Sequence, residues 1–136
     1  MKRLLLLTFL IFLTSCAGDG SKITPDTTID NKNATTLFFY RTGGYVGGGV
    51  LAGLEVNGNE IAKLGTKEFT QHAVKGNYNI SVFGTGFGGF GMGGERVTGK
   101  GKKGSKHYFV IGVDAGLFTS SFTLYEVTET TFKQMR

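Results

Sequence analysis

The chain has 136 residues, with 15 Lys and Arg against 10 Asp and Glu, 23 glycines, one proline, one cysteine and no tryptophan. That length suits one domain rather than two, and a lone cysteine excludes an intrachain disulfide. The formal net charge of +5 is carried in part by Lys2 and Arg3, and is a poor basis for a nucleic-acid partner.

In chain order, Met1-Lys2-Arg3 precedes Leu4 to Leu13, an apolar run of ten broken only by Thr8. A helix needs about 20 apolar residues to cross a bilayer core, and a run this short has the length of a signal-peptide h-region. Leu13-Thr14-Ser15-Cys16 closes the run and resembles the lipobox of bacterial lipoproteins. The resemblance implies a signal peptide over residues 1–15, cleavage before Cys16, acylation of that residue (palmitate among the acyl groups) and a mature chain of about 121 residues. Without Lys2 and Arg3, 13 basic residues face 10 acidic ones, a net charge of about +3. Ala17 stands where an inner-membrane retention signal would often place Asp, so the resemblance points to the outer membrane, facing the periplasm. Residues 16–35 hold the chain's one proline, Pro25, and show no hydrophobic period. They read as the lipidated cysteine and a disordered tether with a reach of roughly 25 Å.

Residues 36–136 read as one all-β domain. Leu37 to Tyr40 is an aromatic strand; Leu54-Glu55-Val56 and Glu60-Ile61-Ala62 flank Asn57-Gly58, which suits the positive φ values of a type I′ hairpin turn. Lys67 to Ala73 is a weaker strand. Tyr78, Ile80 and Val82 share one face of the next. Glu95 to Lys100 reads as an edge strand, and Tyr108 to Val113 is apolar on both faces, hence central or doubly covered. Phe122 to Val127 alternates again, and Thr130 to Met135 reads as a last edge piece. No stretch has a helical period. Seven or eight short strands predict a small antiparallel β-sandwich.

Phe39-Tyr40-Arg41, the Val56-Asn57-Gly58 hairpin, the Gly76 turn and Lys106-His107-Tyr108-Phe109 resemble, in this order, a group of uncharacterised bacterial lipoproteins with a small PEGA-like β-sandwich domain. Val74-Lys75-Gly76 stands where that group tends to have Pro-Gly, and the long glycine loops also depart from it. The resemblance implies fold and location, and brings no activity with it.

Glycine is concentrated in two blocks, 43–53 and 84–94, each following an apolar strand. One reading is two flexible hairpin loops. The other is an apolar contact surface made of Tyr45, Val46, Leu51, Phe87, Phe90 and Met92, residue types favoured where proteins meet partners. Gly84-Thr85-Gly86-Phe87-Gly88-Gly89 spells a dinucleotide fingerprint, but glycine follows where a helix N-terminus must meet the phosphates. Gly94 to Lys100 matches a phosphate loop, with Gly101 in place of the magnesium-binding Ser or Thr.

Arg96, Lys100, Lys102, Lys103 and Lys106 make a basic stretch. It reads either as a solvated hairpin turn guarding a sheet edge or as a surface for anionic lipid, peptidoglycan or polysaccharide. Arg41 reads as an edge cation or a partner for a carboxylate such as Asp114. His72 and His107 lack metal-ligand spacing, and there is no Gly-x-Ser-x-Gly elbow. The chain is thus expected to be a membrane-attached, non-enzymatic binding or accessory component of an envelope assembly, with no metal and no cofactor.

Overall fold

Alternating residues place one row of side chains on each face of a strand, and in the computed structural model the apolar rows meet between two sheets. The structure describes residues 31–44, 49–86, 89, 91–116 and 119–136. A short 3-10 turn at Asn31–Asn33 leads into β1 (Thr35–Arg41), β2 (Leu51–Val56), β3 (Asn59–Leu64), β4 (Phe69–Val74), β5 (Asn77–Thr85), β6 (Arg96–Lys100), β7 (Lys106–Ala115) and β8 (Ser120–Val127), followed by α1 (Glu129–Met135). The strands form two four-stranded sheets, ordered β4-β1-β7-β8 and β3-β2-β5-β6. The fold is the all-β sandwich that the alternation implies, but it is not wholly antiparallel as expected, because β1 and β7 pair in parallel.

Leu37 and Phe39 of β1, Leu54 and Val56 of β2, Ile80 and Val82 of β5, Phe109 and Ile111 of β7, and Phe122 and Leu124 of β8 belong to one buried cluster between the sheets. Phe39 and Phe109 stack with centroids 5.5 Å apart, a geometry worth about 1 kcal/mol beyond the area buried. β7 is central, parallel to β1 and antiparallel to β8. Its outward residues Tyr108 and Val110 are buried too, under Phe132 of α1, which explains why the 108–113 run is apolar on both faces.

Two expectations change. Residues 130–135, read as an edge strand, lie in α1. Thr128 caps this helix by accepting the Thr131 N–H, and Glu129 pairs with Lys133 one turn on at 2.7 Å. A helix of seven residues docks through one buried side chain, Phe132, too few to print a period on the sequence. The domain also starts earlier than residue 36, because Ala34 and Thr35 are already buried and Thr35 begins β1.

Pairing fixes the strand directions. β1, β3, β5 and β7 run one way and β2, β4, β6 and β8 the other. The β4–β5 connection passes between sheets, and Gly76 O at its turn accepts the N–H of Gly101 in the β6–β7 connection. All connections therefore gather at two opposite ends. One end holds the β1–β2, β3–β4, β5–β6 and β7–β8 connections. The other holds the β2–β3, β4–β5 and β6–β7 connections and the start of β1.

Candidate functional site

Both glycine-rich connections, β1–β2 and β5–β6, emerge at the same end. Only the second is a hairpin, since β5 and β6 are antiparallel neighbours; β1 and β2 lie in different sheets, so the first crosses from one to the other. Of the candidate contact residues, Tyr45, Val46, Phe87 and Phe90 lie outside the described residues. Leu51 opens β2 opposite Thr85 and is half-buried. Met92 is half-buried against the main core cluster, and its carbonyl accepts the Gly84 N–H at 3.0 Å.

In the second glycine block Gly84, Gly89 and Gly94 are close-packed, whereas Gly91 and Gly93 face open space. A Cβ on Gly84 would lie 2.6 Å from Met92 Cβ and 2.7 Å from the Gly89 carbonyl oxygen, and one on Gly94 would lie 1.9 Å from the Val82 carbonyl oxygen. Beyond it the chain reaches the other sheet: Glu95 N–H donates to Phe122 O at 3.1 Å, Phe122 N–H donates to Gly93 O at 2.9 Å, and Glu95 Oε2 accepts the Leu124 N–H at 2.7 Å. These glycines let backbones approach and join the edges of the two sheets, a role the expectation of flexible loops missed.

Arg41 closes the core at this end. It is only 1% exposed, its Nη1 donates to the carbonyls of Val50 and, at 2.7 Å, Leu64, and its guanidinium lies 5.1 Å from the Phe122 ring centroid. Burial pulls its pKa below the ordinary arginine value, and the Glu68 carboxylate opposes that shift. It is no edge cation. It pins β1, the β1–β2 crossover and the end of β3 together. Beside it, Thr42, Gly43, Thr66 and Val113 help to line a depression of about 210 Å³.

The opposite end is built around the β6–β7 connection, an arch between sheets where the sequence implied a hairpin turn. Gly101 N–H donates to Gly76 O, Gly104 N–H to Ala34 O and Thr36 N–H to Ser105 O, each at 2.9 Å. Thr35 Oγ1 donates to Lys102 O at 2.8 Å and meets Ser105 Oγ at 3.0 Å. The arch and the first residues of β1 are thus one bonded structure. Lys100, Lys102, Lys103 and Lys106 are exposed on it, and Lys75 is exposed on the neighbouring β4–β5 turn. Arg96 stands apart from them at the far end of β6, about 13 Å along the strand, where its Nε donates to Ser81 Oγ at 3.1 Å.

Under the arch lies a polar network that local sequence could not show. His107 Nδ1 meets Glu126 Oε1 at 2.6 Å and the Tyr78 hydroxyl at 3.3 Å, while its Nε2 lies 3.4 Å from Ser105 Oγ. Burial raises the Tyr78 pKa, and the Glu126 charge adds to that. Ser105, His107 and Glu126 have the outline of a nucleophile, base and orienting acid, but the Ser105 hydroxyl donates to Lys102 O at 2.7 Å, shorter than its contact with the imidazole. The Ser105 N–H also goes to Lys102 O and the Gly104 N–H to Ala34 O, leaving neither amide to stabilise an oxyanion. The arrangement closes a turn. The register puts His72 and His107 on either side of Leu37, so a strand separates the two imidazoles.

Outside the arch, Asn57, Asn77, Asn79, Thr98 and Lys100 help to line an open recess of about 470 Å³, and Asn79 Oδ1 is buried without a partner among the described residues. Among the described residues no group of three His, Cys, Asp or Glu is placed to hold a metal ion, and no helix is long and apolar enough to cross a membrane. Comparison of the chain with protein-family models, curated proteins and solved structures yields no match.

Proposed function

We propose that this chain is a lipid-anchored envelope protein of the kind its lipobox and strand landmarks resemble, held by acylated Cys16 at the periplasmic face of the outer membrane, and that it acts by binding rather than catalysis. The observation that carries the reading is the division of the sandwich into two ends. The segment that leads back to Cys16 joins the fold beside the lysine arch, and both glycine-rich connections open at the opposite end. A domain held from one end presents the other. Tyr45, Val46, Phe87 and Phe90 make the presented end the place for a protein partner, and confinement at the membrane lets a small interface suffice.

The anchor is tested by Cys16→Ala, expected to abolish lipid labelling and retention in the membrane fraction; unchanged labelling refutes it. Binding is tested in intact cells with a photoreactive residue in place of Phe87 or Phe90. One dominant protein adduct, absent when the probe replaces Lys75 at the other end, supports an accessory subunit. No protein adduct at either loop position counts against it.

A second reading, binding of an anionic envelope surface, is favoured by the clustering of Lys100, Lys102, Lys103 and Lys106 on the arch. It differs from the basic 96–106 surface expected from sequence in that Arg96 lies at the opposite end of its strand.

A further inference from the structure

We infer that the lysine end docks onto the anionic phospholipid headgroups of the membrane that holds the anchor, and that this contact sets the orientation of the domain. The inference rests on the reading of Cys16 as the lipid site and adds to it a surface and a direction.

The first ground is where the chain joins the fold. Ala34, Thr35 and Thr36 are each hydrogen-bonded to the arch that carries the lysines, so the origin of the anchor segment and the cationic surface are one rigid piece. Fourteen residues lie between Cys16 and Asn31, and the fifteen steps from one to the other span at most about 50 Å when fully extended. The acyl chains therefore keep this end within reach of the surface whatever the segment's conformation.

The second ground is charge that the fold leaves to solvent. Lys75, Lys100, Lys102, Lys103 and Lys106 are all exposed. The ion pairs found among the described residues are Lys63–Glu60 and Lys133–Glu129, beside a His107–Glu126 contact that is an ion pair only with a protonated imidazole, and none uses these five. Of the carboxylates towards this end, Glu126 contacts His107, Glu129 pairs with Lys133 and Glu60 with Lys63, while Glu55, one residue before the end of β2, faces Glu60 across the hairpin; Lys106 adds to the positive field at Glu129.

The third ground is rigidity. Gly101 N–H to Gly76 O and Ser105 N–H to Lys102 O hold the arch by its main chain, so the ammonium groups are offered on a fixed frame, which reduces the ordering cost of contact. The open recess beside Lys100, lined in part by Asn57, Asn77 and Thr98, gives a headgroup a polar seat at the margin.

The test uses the full chain as isolated from cell membranes, its intact mass recorded to read the state of Cys16. It is placed on lipid nanodiscs containing phosphatidylglycerol and a gadolinium-headgroup lipid, or on phosphatidylcholine discs with the same probe. Amide relaxation is then compared at the two ends. The expected result on anionic discs is several-fold stronger relaxation at Gly76, Gly101 and Gly104 than at Gly93 and Gly94, lost in 0.5 M salt, where screening shortens to about 4 Å.

Each lysine at an anionic surface is worth about fivefold in the docked population, so Lys102→Gln with Lys103→Gln should lower that population by more than tenfold. The arch bonds through the main chain at Lys102, so the pair should keep the fold, checked by an unchanged amide spectrum elsewhere. Lys63→Gln on β3 should leave the docked population unchanged. Equal relaxation at the two ends on anionic discs, or no change in the Lys102/Lys103 variant, overturns the inference even if Cys16 is acylated. An unacylated Cys16 with the lysine end still at the headgroups sinks the anchor reading and leaves the docking surface standing.

Discussion

The two ends of the sandwich both carry cations and treat them in opposite ways. At the glycine end Arg41 is buried, its guanidinium donated to main-chain carbonyls and laid near Phe122. At the other end five lysines stand in solvent, while neutral hydroxyls and a histidine–carboxylate pair seal the core beneath them. A buried cation is committed to the fold, because its desolvation must be offset by partners inside the protein. Exposed cations cost the fold little and remain available to something outside it. The same residue class is structural at one end and, on our proposal, functional at the other.

The comparison breaks most readily at Arg41. Arg41→Ala should lower unfolding stability by about 3–5 kcal/mol, combining a cavity with two carbonyls left short of a donor. Denaturant titration reads this, and a loss under 1 kcal/mol would mean that the arginine is not the closure described. Gly101→Ala is next. Its Cβ would lie 2.3 Å from Thr35 Oγ1 and 2.8 Å from Gly76 O, so a cost of about 1–3 kcal/mol is expected, with faster amide exchange at Thr36 and Gly104 as the arch loosens.

Tyr78→Phe keeps the ring against Phe109 and His107 and removes the hydroxyl contact, a loss of about 1 kcal/mol or less. It should also soften the alkaline limb. Burial, then the Glu126 charge, raises the Tyr78 pKa above 10.0, so its contribution is complete below pH 10 and fades as pH rises through the folded value. Tyr108, raised first by burial, keeps its own share. A variant with an unaltered alkaline limb would argue against the buried hydroxyl. Smallest of all, Lys102→Gln with Lys103→Gln should change stability by no more than about 0.5 kcal/mol, which separates those lysines from Arg41 most sharply.

Much of the frame is legible in local pattern. Asn57 and Gly58 have φ values of 53° and 81°, the left-handed pair that the Asn-Gly turn requires, and the apolar 108–113 run is the doubly covered strand. What escaped depends on which strands are partners. Alternation says which way Arg41 points but not that Val50 and Leu64 come to meet it, and glycine-rich composition is the same for a loose loop and a tight crossing. The Thr35–Ser105 and His107–Glu126 contacts join residues 70 and 19 positions apart, beyond any local signal. The helix had one usable cue, Thr128-Glu129 as cap and first-turn acid, outweighed by the β-branched pair Thr130-Thr131.

The division between the ends is tested most directly by paired photocrosslinking in living cells, with the probe at Lys103 in one strain and at Phe90 in another. The account predicts phospholipid adducts from Lys103 and a protein adduct from Phe90, with neither pattern at the other position. The same adducts from both positions would contradict it, because the two ends would then face the same surroundings.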